Sequence, residues 1–234
     1  MNEMQRFHLL TGTSRNYGLR LGSLLILAAF LVAAPAARAQ FGGSPTTPVH
    51  DPAALKPPPG EKVAIVEFDD MECPMCAETN PLLIQAQEKY HIPWVRHDFP
   101  LPFHPWSFQA AVYARWFDQK SKDLGNQYRN TVFANQRSIE TRQELLAFTQ
   151  KFASSHGMQL PFMVDPQGKL ADEVKADRAL GQRIGVEHTP TIWIVTSGGK
   201  APQYTEVVDT NKLFQTIDQV LSAMHYTPTR TAHR

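Results

Sequence analysis

The sequence predicts an α/β fold, a mixed central sheet flanked by helices with an inserted helical subdomain. Three patterns predict it. A strand, a helix and a second strand follow one another at about 62–69, 74–89 and 93–99. The region 105–156 repeats its apolar residues at helical spacing, and two late strands, at 191–196 and about 202–208, meet across Gly198-Gly199. The first unit requires parallel strands joined by a crossover, whereas the double-glycine turn requires an antiparallel pair, so the sheet is mixed.

Residues 1–39 read as an export signal. Arg6, Arg15 and Arg20 charge the front, Leu21–Ala34 is apolar, and Ala37-Arg38-Ala39 offers small residues for cleavage, so a mature chain starting near Gln40 is expected. The apolar run of 14 residues is shorter than the roughly 20 needed to span a bilayer, and an uncleaved membrane anchor is the alternative. Taking its four Arg and one Glu from 23 Lys and Arg and 22 Asp and Glu leaves a formal charge of −2. That balance points to neither nucleic acid nor an anionic membrane surface as a partner. Residues 40–61 carry six prolines and Gly42-Gly43; a flexible or extended lead-in is expected, too short to be a dimerisation domain, and the protein is expected to be a monomer. One domain is expected over 62–226, with its insertion at about 104–160, followed by a tail at 227–234.

Within the insertion, Trp106, Ala110, Tyr113 and Phe117 share one helical face and Leu145, Phe148 and Phe152 another; Thr141 with Glu144 forms a capping box. These aromatic stripes read as core, as do Trp94, Trp116 and Trp193. A helix at 169–184 precedes the late strands, and Leu213, Ile217, Val220 and Met224 line the face of a closing helix.

The only two cysteines stand in Cys73-Pro74-Met75-Cys76, where the first strand gives way to a helix. In an exported chain of this size, one adjacent pair is not a stapling framework and reads as a working redox pair. A sulfur at a helix start faces unpaired N–H groups and the positive end of the dipole, which favour the thiolate; Cys73 is therefore the expected nucleophile and Cys76, one turn later, the resolving thiol. Pro74 suits the first helical position because it lacks an N–H that would go unpaired there. Half of a zinc site is an alternative, but no second cysteine pair or paired His spacing accompanies it. An inert disulfide is another, though a bridge across so short a loop constrains little chain. Glu67 shares a face with Val63 and Ile65 by period two, so burial should raise its pKa, unless it is a strand-edge residue reaching water.

On these residues the chain resembles the DsbA-like thiol-disulfide oxidoreductases, exported members of the thioredoxin superfamily. Four matches carry the resemblance: Val66-Glu67-Phe68 leading to the cysteines, Asp98-Phe99-Pro100-Leu101-Pro102-Phe103-His104 before the insertion, the helical insertion itself, and His188-Thr189-Pro190-Thr191. It implies a thioredoxin fold, with Glu67 as general base toward Cys76 and Thr189-Pro190 as a cis dipeptide beside the cysteines whose backbone pairs with substrate. It also implies disulfide exchange with cysteines of unfolded or extended exported polypeptides, without bound cofactor or metal. A membrane redox partner follows: a quinone-linked oxidase if the protein forms disulfides, the favoured direction, or an electron donor if it is a reductase or isomerase. A non-catalytic peptide binder and a soft-metal binder are the alternatives outside that chemistry. Met75 replaces the family's His, and Asp70 and Glu72 add negative charge, so a less oxidising pair than in DsbA is expected. Thr189, where DsbA has Val, looks more like isomerase or reductase relatives. His188 replaces a small residue and could approach Cys73, or face solvent; His97 and His104 read as packing or surface residues.

Overall fold

The computed structural model describes residues 47–225; the expected signal at 1–39, the first part of the lead-in and the tail at 227–234 lie outside the described residues. The elements in chain order are β1 (Val63–Asp69), α1 (Pro74–Tyr90), β2 (Trp94–Asp98), α2 (Ser107–Asp118), α3 (Lys122–Asn135), α4 (Arg142–Ser155), α5 (Lys169–Ile184), β3 (Thr191–Thr196), β4 (Tyr204–Glu206) and α6 (Leu213–Ala223). The sheet runs β2-β1-β3-β4, with β1 parallel to β2 and antiparallel to β3, and β3 antiparallel to β4. This is the expected mixed sheet. Only β4 is clearly shorter than its pattern suggests, because Pro202 has no N–H for a ladder.

Alternation along the strands assigns every side chain to a face. Val63 and Ile65 of β1 join Ile192 and Ile194 of β3, and Leu83 of α1 and Leu213, Ile217 and Val220 of α6 cover them. Ala64, Val66 and Phe68 pack with Trp193, Val195 and Ile184 on the other side. Glu67 and Asp69 continue the first face, directly opposite Arg96 and Asp98 of β2. The helical insertion has its own core of Trp106, Phe117, Tyr128, Leu145 and Phe152, and both cysteines sit at its edge. At the start of α4, Thr141 and Glu144 make the capping box that their spacing predicts.

Of the two expected forms of the lead-in, flexible or extended, the described part takes the extended one, with a 3₁₀ turn at Pro52–Ala54. From Thr47 onward it is not loose but an extended strap tied to the body: Thr47 donates to Glu206 through both N and Oγ1, His50 N donates to Ile184 O, and Asp51 pairs with Arg183. Leu55 is completely buried against Val66 and Trp193. Beneath the strap, Gly185 ends α5 at φ 109°, where a Cβ would collide with the Pro48 carbonyl. Composition hides this docking because prolines pre-set an extended backbone at low entropic cost, so one buried leucine, with Val49 and Ala54 packed beside it, suffices to dock it. Leu55→Ala should therefore lower stability by about 2–5 kcal/mol in urea unfolding; a midpoint equal to the parent's would mean that the strap contributes nothing.

Candidate functional site

Cys73 caps α1, with Pro74 as the first helical residue. Both cysteines are free thiols, Cys73 7% exposed and Cys76 fully buried. Their environments push them apart. A hydrogen bond from the Cys76 thiol is the largest influence on Cys73; burial opposes it, and Thr189 with the backbone N–H groups of Cys76 and Met75 completes a shift down to about 6. Cys76 moves the other way, well above an ordinary thiol, through burial first and then the neighbouring Cys73, Asp69 and Glu67. At pH 7 Cys73 is therefore about ten parts thiolate to one part thiol, while Cys76 keeps its proton.

Across from the helix start, the Thr189-Pro190 bond is cis, and the Cys73 thiol donates to the Thr189 carbonyl at 3.3 Å. The Thr189 hydroxyl is buried without a partner in this thiol form, which leaves it free to donate to the thiolate once the proton has gone. His188 is exposed, and its Nδ1 lies 3.4 Å from Thr191 Oγ1. With Met75, Thr189, Pro190, Val207 and Val208 it lines a cleft of about 380 Å³ beside the thiols. Met75 is half exposed at its mouth.

The two acids expected to burden the thiolate are spent on other partners. Asp70 accepts hydrogen bonds from the Glu72 and Leu101 N–H groups, and its Oδ2 lies 2.7 Å from His104 Nδ1. Glu72 accepts from Trp106 N and Ser107 N at the start of α2. Gln136, after α3, donates from Nε2 to the carbonyls of Met71 and Cys73. The helical insertion thus fastens the loop carrying the nucleophile at three places. His97 stacks on Phe68 at 4.7 Å and meets Asp177 at 2.9 Å, so both histidines are packing groups.

Glu67 lies on β1, between β2 and β3, and is 1% exposed; the strand-edge alternative does not hold. Its Oε2 accepts the Trp94 indole N–H at 2.9 Å. Burial, reinforced by Asp69 and only partly offset by Arg96 and Trp94, raises its pKa to about 8. Sequence reasoning missed the groups around it. Arg96 points its Nε and Nη2 at Asp69 Oδ2, at 3.1 and 2.9 Å, and its Nη1 at Asn130 Oδ1. Beyond them Asp98 binds Arg115 and Arg129, and Arg129 binds Asp118. The second acid on a buried strand face was a visible signal for Asp69; Gln136 had none, since its partners are 63 and 65 residues away. Among the described residues no group of three or more His, Cys, Asp or Glu is placed to hold a metal ion.

A thiol of lowered pKa at a helix start, a buried partner thiol and an adjacent cis-proline now stand together on a four-stranded mixed sheet. A thioredoxin family model matches residues 59–230. The chain belongs to the thioredoxin family. No curated protein sequence matches it, but solved structures do. A variant of Wolbachia pipientis α-DsbA1 aligns at TM-score 0.61 with 16% identity, covering 74% of this chain and 96% of that one. The thiol-disulfide exchange protein α-DsbA2 from the same organism aligns at 0.55 with 18% identity, covering 70% and 84%. A periplasmic thioredoxin-like protein of Salmonella enterica serovar Typhimurium also aligns at 0.55 with 18% identity, covering 72% and 91%. At such identities the likeness establishes the fold: a thioredoxin domain carrying a DsbA-type helical insertion.

Proposed function

We propose that the chain is an exported protein thiol-disulfide oxidoreductase that passes its Cys73–Cys76 disulfide to cysteines of other exported polypeptides. The observation that carries this reading is Cys73 at the start of α1 against the cis Thr189-Pro190 bond, with Cys76 fully buried one turn later, an arrangement that lowers the first thiol to about 6 and raises the second well above the ordinary value. In the oxidised protein a substrate thiolate attacks Cys73 Sγ and breaks the bond to Cys76, which leaves and takes up a proton. A second substrate thiolate then attacks the substrate sulfur of the mixed disulfide. Cys73 departs as a stabilised thiolate, and two electrons have moved from substrate to protein. The acidity of Cys73 makes it a good leaving group and favours this direction; reoxidation falls to a membrane quinone-linked partner. Reductase action, suggested by Thr189, runs these steps in reverse from a reduced pair supplied by an electron donor: the Cys73 thiolate attacks a substrate disulfide and Cys76 then displaces the substrate thiol; isomerase action begins with the same attack, and a second substrate thiolate releases Cys73.

Glu67 serves Cys76. When the disulfide re-forms, the buried thiol must lose its proton, and a buried carboxylate with affinity near neutrality is a matched acceptor. The cleft beside Met75 and Pro190 is where an extended substrate backbone would lie, next to the Thr189 carbonyl. Export is supported by the pattern at 1–39 and by the periplasmic Salmonella relative; among the described residues no helix is long and apolar enough to cross a membrane.

The test is alkylation of the reduced protein with iodoacetamide against pH. Cys73 should react with a midpoint near 6, with Cys76 unreactive in the folded protein, and equilibration with glutathione buffers should give one two-electron potential for the pair. Equal reactivity of both residues with the profile of a free thiol would sink the proposal.

A further inference from the structure

Register places Arg96 directly across from Glu67 on the neighbouring strand, yet none of its hydrogen bonds goes there. Nε and Nη2 converge on Asp69 and Nη1 is held by Asn130, while Glu67 is left with the neutral Trp94 indole. Glu67 is faced by Asp69 on its own strand, by Trp94 and Arg96 on β2, by the apolar Ile192 on β3, and by the two thiols at the start of α1. Asp98 and, from α3, Arg129 act on Asp69. Arg96 is thus the cation best placed to capture Glu67, and Asp69 occupies it.

We infer that Asp69 is a positioning residue: by holding the Arg96 guanidinium it keeps Glu67 out of a permanent ion pair, so that Glu67 remains able to gain and lose the proton of Cys76. The inference rests on the reading of Glu67 as that proton acceptor. A guanidinium in direct contact pulls a carboxylate toward its charged form and makes it a poorer base, a pull that at Asp69 works against burial, which still holds its pKa above the ordinary value. Burial is the largest cause of the raised Glu67 pKa; the Asp69 charge adds to it by direct repulsion, and Arg96, even turned away, pulls it down from across the strand. Two acids with one shared cation are therefore not redundant. One is the anchor, and the other is left free to titrate.

The test follows the rate at which Cys76 resolves a Cys73–glutathione mixed disulfide, measured against pH by glutathione release. The parent should show a bend near 8, set by Glu67. Asp69→Asn should let Arg96 turn to Glu67 and move that bend about 1–3 pH units lower, with a smaller plateau. The double variant Asp69→Asn, Arg96→Gln removes the cation as well and should return the bend toward the parent position. A merely structural role would lower stability without this shift and rescue. A bend unmoved in Asp69→Asn, or moved but not rescued, overturns the inference. So does a single variant that fails to fold while the double folds, because the freed guanidinium would then have found no partner in Glu67. Glu67→Gln is the control: loss of its bend leaves the proton-acceptor reading intact whatever Asp69 does, and a persistent bend overturns both.

Discussion

Cys76→Ser should turn the protein into a trap for disulfide-bearing polypeptides: the Cys73 thiolate attacks a substrate disulfide, one substrate sulfur leaves as a thiol, and the mixed disulfide accumulates, visible as reductant-sensitive bands of higher mass, while turnover falls to background. The expectation follows from the division of labour between the sulfurs. Cys73 is the reachable one and its attack does not need Cys76 as a sulfur. It needs the hydrogen bond that Cys76 gives, the largest cause of its acidity. A serine hydroxyl can donate in place of the thiol, so the Cys73 midpoint should stay within about one pH unit of the parent, whereas Cys76→Ala should raise it. What serine cannot do is attack the mixed disulfide, so the intermediate persists. Cys73→Ser should show no adducts at all, because the remaining thiol is fully buried and holds its proton. Adducts forming equally on both variants would mean that either sulfur reaches substrate, which the observed burial contradicts.

What the sequence revealed and what it hid divide along one physical line. Period-two alternation placed Glu67 on a buried face, and the helix start placed Cys73 and Cys76 one turn apart, because both relations lie within a few residues. Trp94, read as core, is only partly buried at the edge of its cluster, and its role as donor to Glu67 was not legible, since that bond crosses 27 positions and depends on the register of β1 against β2. Asp70 and Glu72 were legible as charges near the nucleophile, but not as carboxylates with partners of their own. Their partners, Leu101 and His104 at the entry to the insertion and Trp106 and Ser107 within it, come close only when it folds. The docking of the strap was hidden for a related reason: composition reports what a segment can bury on average, whereas Leu55, with Val49 and Ala54 beside it, meets a waiting face of the sheet.

Glu67→Gln should stabilise the reduced protein at neutral pH while damaging it as a catalyst. The folded carboxyl titrates near 8 and the unfolded one near 4.5. Between those values the folded state keeps a proton that the unfolded state has released, so stability declines as pH rises through this window and levels off above it. At pH 7 the decline amounts to about 3 kcal/mol. Glutamine cannot ionise and its carbonyl can still accept the Trp94 N–H, so the variant should gain about 1–3 kcal/mol over the parent at pH 7–8, the extra amide donor taking some of it back. At pH 4.5 that gain should be gone, leaving the variant below the parent by the cost of the extra amide donor. The same variant should slow Cys76 deprotonation about 10²–10⁴-fold, the usual contribution of a positioned base. Urea unfolding at the two pH values, paired with mixed-disulfide resolution kinetics, measures both effects on one sample. If the stability difference is the same at pH 4.5 and 8, Glu67 is already ionised in the folded protein. The buried acid would then be an ordinary ion-pair member and no proton carrier.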